Sequence, residues 1–449
     1  MEERVLIEIK EALETKDEKR VVELVEDLYP ADIAELIDEL STEDIQVLIP
    51  IIPLEKLAFS LAELDFDTKH NLLKLLDADK LKVILDTMYS DDIADLLGTL
   101  SIGKSKELLN LMKKDDAAKI QNLLGYKEDS AGGIMTTEYI AIKAEKTAAE
   151  TIEKLRDIAP KVEMIYYIYV VSKTKELRGV LSMRDLLTAA PDQKVEDLMQ
   201  PNVIKVNLKM DQEDVASIIS KYDLLAIPVV SEKNQLLGVI TVDDIIDVIE
   251  EEATEDMYKM AGTSEVEVGI HGKGIVHGAM KRLPWLIILL FASLLSGGVI
   301  GGFEEELESV VALAFFIPVL MDTGGNAGTQ SLTVAIRGLA TGDLDRKEIR
   351  GHVLNEMKVG LLVAIVCGVM ISLIATVWQG SPVLGLVVGT AMFATLIVAV
   401  LSGTTLPFII DALGADPAVA AGPFITTLVD VSGLLIYFSL AKALIEQLA

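Results

Sequence analysis

Beyond Arg282 the sequence enters five long apolar runs, at about 283–301, 309–339, 357–378, 382–410 and 417–445. A bilayer core about 30 Å thick takes roughly 20 helical residues. The first and third runs therefore read as single spans, and the second and fourth, at about 30 residues, are long enough to tilt or break. Lipid satisfies no backbone polar group, so residues 281–449 are expected to form a five-helix α transmembrane domain. That part holds 13 Asp or Glu and 8 Lys or Arg, whereas the first 280 residues hold 57 and 32. The N-terminal part is expected to be soluble and strongly acidic, a balance that repels nucleic acid and attracts cations.

Five spans place the two ends of the chain on opposite sides. Lys281, Arg282, Arg337, Arg346, Lys347, Arg350 and Lys358 gather on one side of that topology, and Glu304, Glu305, Glu306 and Glu308 fall on the other. Basic loops stay inside, which puts the N-terminal part in the cytosol; the acidic connection DALGADP is also inside, but acids weigh little in this rule. The opening MEERVLIEIKEALETKDEKR is charged and amphipathic and does not read as a secretory leader. Cys367, the single cysteine, allows no disulfide within the chain and reads as a buried, inert thiol. His70, His271, His277 and His352 lack the spacing of a zinc site.

Residues 1–127 place apolar side chains at three- and four-residue steps, with Asp, Ser and Thr available as caps, and predict helices throughout. DIAELIDEL (32–40) is echoed by DIADLLGTL (92–100), which suggests stacked hairpins of an all-α superhelix. Residues 128–250 bring strand-like runs, IYYIYVV and LLAIPVV, and a second repeat: LRGVLSMRDLL (177–187) parallels LLGVITVDDII (236–246). Each unit reads strand, helix, strand, turn, strand, helix. This α/β arrangement resembles a tandem pair of CBS domains. An acidic, helical-looking segment, 251–280, must connect it to the membrane part.

Two membrane segments carry groups that lipid cannot satisfy. In AAGPFITTLVDVSGLLIYF (420–438), Asp430 lies mid-span with no basic residue nearby. A carboxylate at that depth costs about 3 kcal/mol by insertion scales, so it is either protonated or faces water and a cation. Thr426 and Thr427 share its helix face one turn earlier, and Pro423 could loosen carbonyls a turn before that. Carboxylate, hydroxyls and carbonyls make an all-oxygen environment suited to a hard divalent ion such as Mg2+, which keeps most of its water. The competing reading for the threonines is ordinary hydrogen bonding between helices. In PVLMDTGGNAGTQS (318–331), the proline and glycines are expected to break the second span near its middle. Asn326 and Gln330 would then line or brace the path that Asp430 faces, with Asp322 nearer the outer end. The alternative is that the glycines serve tight helix packing.

These two motifs, with the order helical domain, CBS pair, acidic linker and five spans, resemble the MgtE magnesium channels across essentially the whole chain. The resemblance implies a Mg2+-selective channel that imports Mg2+ through the cell membrane. It also implies a homodimer with the pore on its two-fold axis, so that two Asp430 carboxylates face each other. Where some relatives carry Asn before the fifth-span proline, this chain has Gly422. The resemblance further implies a cytosolic Mg2+ sensor. Carboxylates converging between domains repel one another until Mg2+ draws them together and closes the gate. Candidate ligands are Asp91 and Asp95 in the helical domain and Asp211, Glu213 and Asp223 in the second CBS unit. In the linker they are Asp244, Asp247, Glu251, Glu252, Glu255 and Asp256. CBS pairs often bind adenosine nucleotides, which makes Tyr167, Arg184 and Asp185 candidates for ATP. No P-loop is present, so ATP would regulate and not energise, and no enzymatic activity is expected. The alternative is a secondary transporter coupled to H+ or Na+, with Asp430 as its carrier carboxylate, although five spans show no inverted repeat. A third reading, a receptor that transports nothing, fits poorly with polar groups at membrane depth.

Overall fold

The computed structural model describes residues 3–159, 162, 164–263, 274–340, 344, 349–419 and 422–444. His271 and the stretch 264–273 of the connecting segment, and the basic residues Arg346 and Lys347, lie outside them. The chain forms two compact units, Met1–Ile249 and Glu250–Ala449.

The first unit opens with ten short helices, from α1 (Glu3–Glu14) to α10 (Lys114–Leu123). Their boundaries follow from capping: the side chains of Asp17, Ser41, Asp65 and Asp77 each accept a hydrogen bond from the backbone N–H three residues on. The echoed sequences form α3 (Pro30–Asp38) and α8 (Ser90–Gly98), each entered from a tyrosine. Helix α3 packs on α5 (Leu54–Glu63), and α5 on α7 (Ala78–Thr87), in the stacked manner the repeat suggests.

Two three-stranded sheets follow. The first joins β1 (Ala141–Lys143), β2 (Tyr167–Val171) and β3 (Leu177–Ser182), with α11 (Ala148–Ile158) crossing from β1 to β2. The second, preceded by the short α13 (Val195–Leu198), joins β4 (Val206–Asn207), β5 (Ala226–Val230) and β6 (Leu236–Thr241), with α14 (Gln212–Tyr222) as its crossover. In both, the first pair is parallel and the second antiparallel. Each β3-type strand is followed directly by a helix, α12 (Met183–Thr188) or α15 (Val242–Met260).

The repeated glycine of the two GV[LI] motifs has a structural cause. A Cβ on Gly179 would lie 2.7 Å from Met199 Sδ, and one on Gly238 would lie 2.6 Å from the Thr136 carbonyl. The segment leading into each CBS unit thus crosses the outer strand of the other, through the bridges Val180–Gln200 and Thr136–Val239. The interlock also positions the helical domain. At the start of α8, the Ser90 hydroxyl donates to Glu138 Oε2 at 2.6 Å and accepts from the Thr137 N–H at 2.9 Å. Residues 136–138 therefore tie α8 to β6, the strand that runs into α15.

Among the described residues of the second unit, five helices are long and apolar enough to cross a membrane. They are α16 (Gly274–Gly302), α18 (Ile317–Ala340), α19 (Ile349–Gln379), α20 (Pro382–Ala412) and α21 (Gly422–Ala443). A short helix, α17 (Glu304–Ser309), and a 3-10 turn, Val311–Phe316, join the first two. Helix α20 is the centre of the bundle, packed against α18, α19 and α21, and α16 lies on α21. Cys367 is half-buried and free, not fully enclosed as expected.

Two expectations are corrected. Helix α18 runs unbroken through the glycine-rich stretch, and the irregular backbone lies earlier, at Val310 and the following 3-10 turn. Pro318 is the second residue of α18 and Pro423 the second of α21, where a missing N–H costs nothing. Pro423 therefore starts its helix and loosens no earlier helical turn within it.

Candidate ion pathway and regulatory sites

Helices α18 and α21 meet through the glycines of the first motif. A Cβ on Gly324 would lie 2.9 Å from Thr395 Cγ2 and Val429 Cγ1. On Gly325 it would lie 2.8 Å from Thr426 Cγ2, and on Gly328 2.7 Å from Ile425 Cγ2. Such contacts need hydrogen in place of a side chain, so these glycines bring the two backbones together. The polar residues of the same motif occupy another face: Asp322, Asn326 and Gln330 are exposed in the single chain. A helix that is glycine-notched toward its neighbour and polar on its open side requires something other than lipid against that side.

Asp430 is half-buried on α21, and its Oδ1 is enclosed with no hydrogen-bond partner. Eight residues from the start of α21, it stands roughly 12 Å along the helix. The hydroxyls of Thr426 and Thr427 donate to the carbonyls of Gly422 and Pro423, each at 3.0 Å. With their protons committed, these oxygens offer only lone pairs. The face from Thr426 to Asp430 is therefore an array of acceptors, which suits the outward-pointing hydrogens of a hydrated cation.

In the first unit the carboxylate of Asp244, in the first turn of α15, accepts from the Thr241 hydroxyl at 2.5 Å. Burial pushes Asp244 up to about 6. Asp92 on α8 is pushed up to about 7, first by burial, then by the charges of Asp244 and Asp95, while Lys69 opposes the shift. Lys69, on α6 (Phe66–Leu75), is lowered by its own burial. The helical domain and the second CBS unit thus press acids toward one another across a single lysine. Sequence reasoning chose Asp91 and Asp95 here and missed Asp92. Asp91 is buried and Asp95 exposed, and the signal for Asp92 was its three-residue spacing from Asp95.

The other candidates are spread out. Asp211 caps α14 by accepting from the Glu213 N–H, and Asp223 closes its other end in a left-handed conformation. An 11-residue helix is roughly 16 Å long, so Asp211 and Glu213 cannot share an ion with Asp223. Asp247, Glu251 and Glu255 are exposed, and Glu252 and Asp256 half-buried, along α15. Burial and then Asp416 push Asp256 up to about 6, while Lys259 opposes. Among the described residues no three His, Cys, Asp or Glu converge tightly enough to hold a metal ion.

The three nucleotide candidates do come together. Tyr167 pairs across the sheet with Ser182, whose hydroxyl donates to Asp185 at 2.6 Å and accepts from its N–H at 3.1 Å. Arg184 is exposed beside them. The second CBS unit repeats the arrangement, with Ala226 opposite Thr241, and Thr241 bonded to Asp244. It carries Asp243 where the first carries Arg184, so the twin sites present opposite charges. A cavity of about 660 Å3 elsewhere on the first CBS unit is lined by Lys143, Lys173 and Arg178 with Glu145 and Glu196, and contains none of the three.

Comparison with known proteins agrees in every part of the chain. Residues 317–440 match the MgtE family model described as a divalent cation transporter, 28–129 match the MgtE intracellular N domain, and 131–192 and 195–251 each match the CBS domain. The magnesium transporter MgtE of Thermus thermophilus is 40% identical over 450 residues, covering 99% of this chain and 100% of its own. That of Bacillus subtilis is 46% identical over 329 residues, 73% of this chain and 72% of its own. The crystal structure of the cytosolic domain of the Mg2+ channel MgtE in complex with ATP superposes with a TM-score of 0.52 at 38% identity, covering 54% of this chain and 99% of that one. The chain belongs to the MgtE family of divalent cation transporters.

Proposed function

We propose that this multi-pass membrane protein is a Mg2+-selective channel that admits Mg2+ to the cytosol across the cell membrane, and that Mg2+ bound to its acidic cytosolic half closes it. The observation that carries the proposal is Asp430, a half-buried carboxylate at membrane depth with one oxygen unpartnered, one turn from hydroxyls that can only accept. A proton or a hydrated cation must neutralise it, and the acceptor array favours the cation. Relatives that are magnesium transporters support Mg2+ as the cargo. The exposed polar face of α18 supports a homodimer, since a second copy would cover Asp322, Asn326 and Gln330 and bring a second Asp430 to the path.

Closure rests on Asp92, Asp95, Asp244 and the α15 acids, whose mutual repulsion a divalent ion would relieve. Because no three of them converge to ligating distance, Mg2+ would act through retained water as much as by direct bonds. Each weak site adds to the closed state's advantage, and their sum steepens the response. ATP at Tyr167, Arg184 and Asp185 is supported by the ATP complex of the related cytosolic domain. Currents through purified protein in a planar bilayer test the proposal. Discrete conductance with Mg2+ as the only permeant cation is expected; flux that requires an H+ or Na+ gradient would favour the carrier reading.

A further inference from the structure

The end of α15 is keyed into the membrane unit at three points. Lys259 Nζ donates to Asp416 Oδ2 at 2.5 Å and also pairs with Glu255 one turn earlier on its own helix. Asp416 Oδ1 accepts from the Ala418 N–H at 2.8 Å, which shapes the 3-10 turn Pro417–Val419 just before α21. The two oxygens of Asp416 thus tie the connecting helix to the turn that starts the Asp430 helix. Met260, the next residue, packs against the apolar cluster of Leu332, Ile336, Ile425 and Val429 from α18 and α21. Gly262 then turns left-handed (φ +68°) over Pro423, whose Cγ would be 3.2 Å from a Cβ there.

The charges at this contact are unequal. Glu255 and Asp416 both pair with one ammonium group, that of Lys259, which also acts on Asp256, while Glu252 adds its charge to that of Asp256. Remove it and the acids of α15 are left facing Asp416, with only the apolar contacts of Met260 and Gly262 to hold the helix end in place. The ammonium occupies the position in which a bound divalent ion would do the same work.

We propose that Lys259 is a tethered cation that latches α15 onto the turn that precedes the pore helix, giving the protein a closed population that does not depend on cytosolic Mg2+. The idea rests on the gating reading above and adds a resident counter-ion to it. Lys259 supplies part of the neutralisation, and bound Mg2+ supplies the rest. Lys259 is therefore a positioning residue of the gate. It lowers the Mg2+ concentration needed for closure, and it does not compete with Mg2+ for the acids.

The test uses the full chain in planar bilayers, with Mg2+ outside and EDTA on the cytosolic side. Lys259→Gln should raise the open fraction in EDTA. It should also raise the cytosolic Mg2+ needed for half-closure about fivefold, the scale of a favourable, partly buried ion pair. Lys259→Arg should stay near wild type, and Lys259→Asp combined with Asp416→Lys should recover what Lys259→Asp loses. An unchanged or lower half-closing concentration in Lys259→Gln would overturn the latch, the lower value marking Lys259 as a competitor of Mg2+. Hydrogen exchange over residues 255–262 of the full chain in EDTA separates this outcome from failure of the transport reading. Faster exchange in Lys259→Gln supports the latch even if no current is seen, and identical exchange rejects it.

Discussion

Gly328 has no room for a side chain. Its Cβ would meet Ile425, and its own carbonyl oxygen lies 2.2 Å from where a Cβ on Gly403 would stand. Overpacking of this kind costs about 1–3 kcal/mol, so Gly328→Ala should lower the melting temperature of the detergent-solubilised protein by several degrees. An unchanged melt would mean that α18 and α21 are not pressed together there. Asp92 and Asp244 make a second residue-scale prediction. Both carboxyls titrate above their ordinary range in the folded protein, at about 7 and about 6. At pH 8 they are charged in both folded and unfolded chains, and the folded state bears the full repulsion. As pH falls through 7 and 6 the folded protein takes up protons that the unfolded chain, near pH 4, does not yet hold, so stability rises. Metal-free protein should therefore melt higher at pH 6 than at pH 8, and Mg2+ should raise the melting temperature more at pH 8. Asp244→Asn should flatten both trends; a melt that falls on acidification contradicts the assignment.

The two CBS units are one element used twice with opposite charge. Ser182, Arg184 and Asp185 in the first correspond to Thr241, Asp243 and Asp244 in the second, each hydroxyl bonded to the aspartate three residues on. Arg184→Ala should weaken ATP binding to the full chain by about tenfold, as loss of a charge-assisted contact implies, with little effect from Asp243→Ala; titration calorimetry reads both. Equal effects would show that the charge difference does not assign the nucleotide to the first unit. Much at this scale was legible beforehand. The paired glycines, the five apolar runs and the helical echo all report local backbone needs that a sequence states directly. Two inferences failed for one reason. Pro318 and the glycines of 324–328 are expected from isolated propensity to break their span, with tight packing as the alternative, and Pro423 is expected to loosen carbonyls a turn earlier. In the bundle the glycines make a notch for α21 and α20, and both prolines stand in first turns, so tertiary packing and position overrode propensity. Asp92 was missed because its significance lies in facing Asp244, 152 positions away, a proximity set by the Ser90–Glu138 contact and the Thr136–Val239 bridge.

Across the whole molecule, charge is divided by solvent. The acidic excess lies in the first 280 residues, and the membrane unit keeps few acids, Asp430 among them. In the function proposed above, the N-terminal half would respond to cations because its carboxylates are crowded, and the membrane half would pass a cation because one carboxylate stands where lipid cannot neutralise it. α15 begins at Asp244's turn and ends with Lys259 bonded to Asp416, ahead of the turn that precedes α21. The central claim is that a hydrated Mg2+ neutralises Asp430 during passage. Mg2+ uptake into proteoliposomes by Asp430→Ala, beside wild type and Asp430→Glu, tests it most directly. Losing the charge should cut uptake tenfold or more, on the scale of about 1.4 kcal/mol per tenfold, with Asp430→Glu retaining a measurable rate. Normal Mg2+ uptake by well-folded Asp430→Ala protein would contradict the claim and leave the residue a structural part of the bundle.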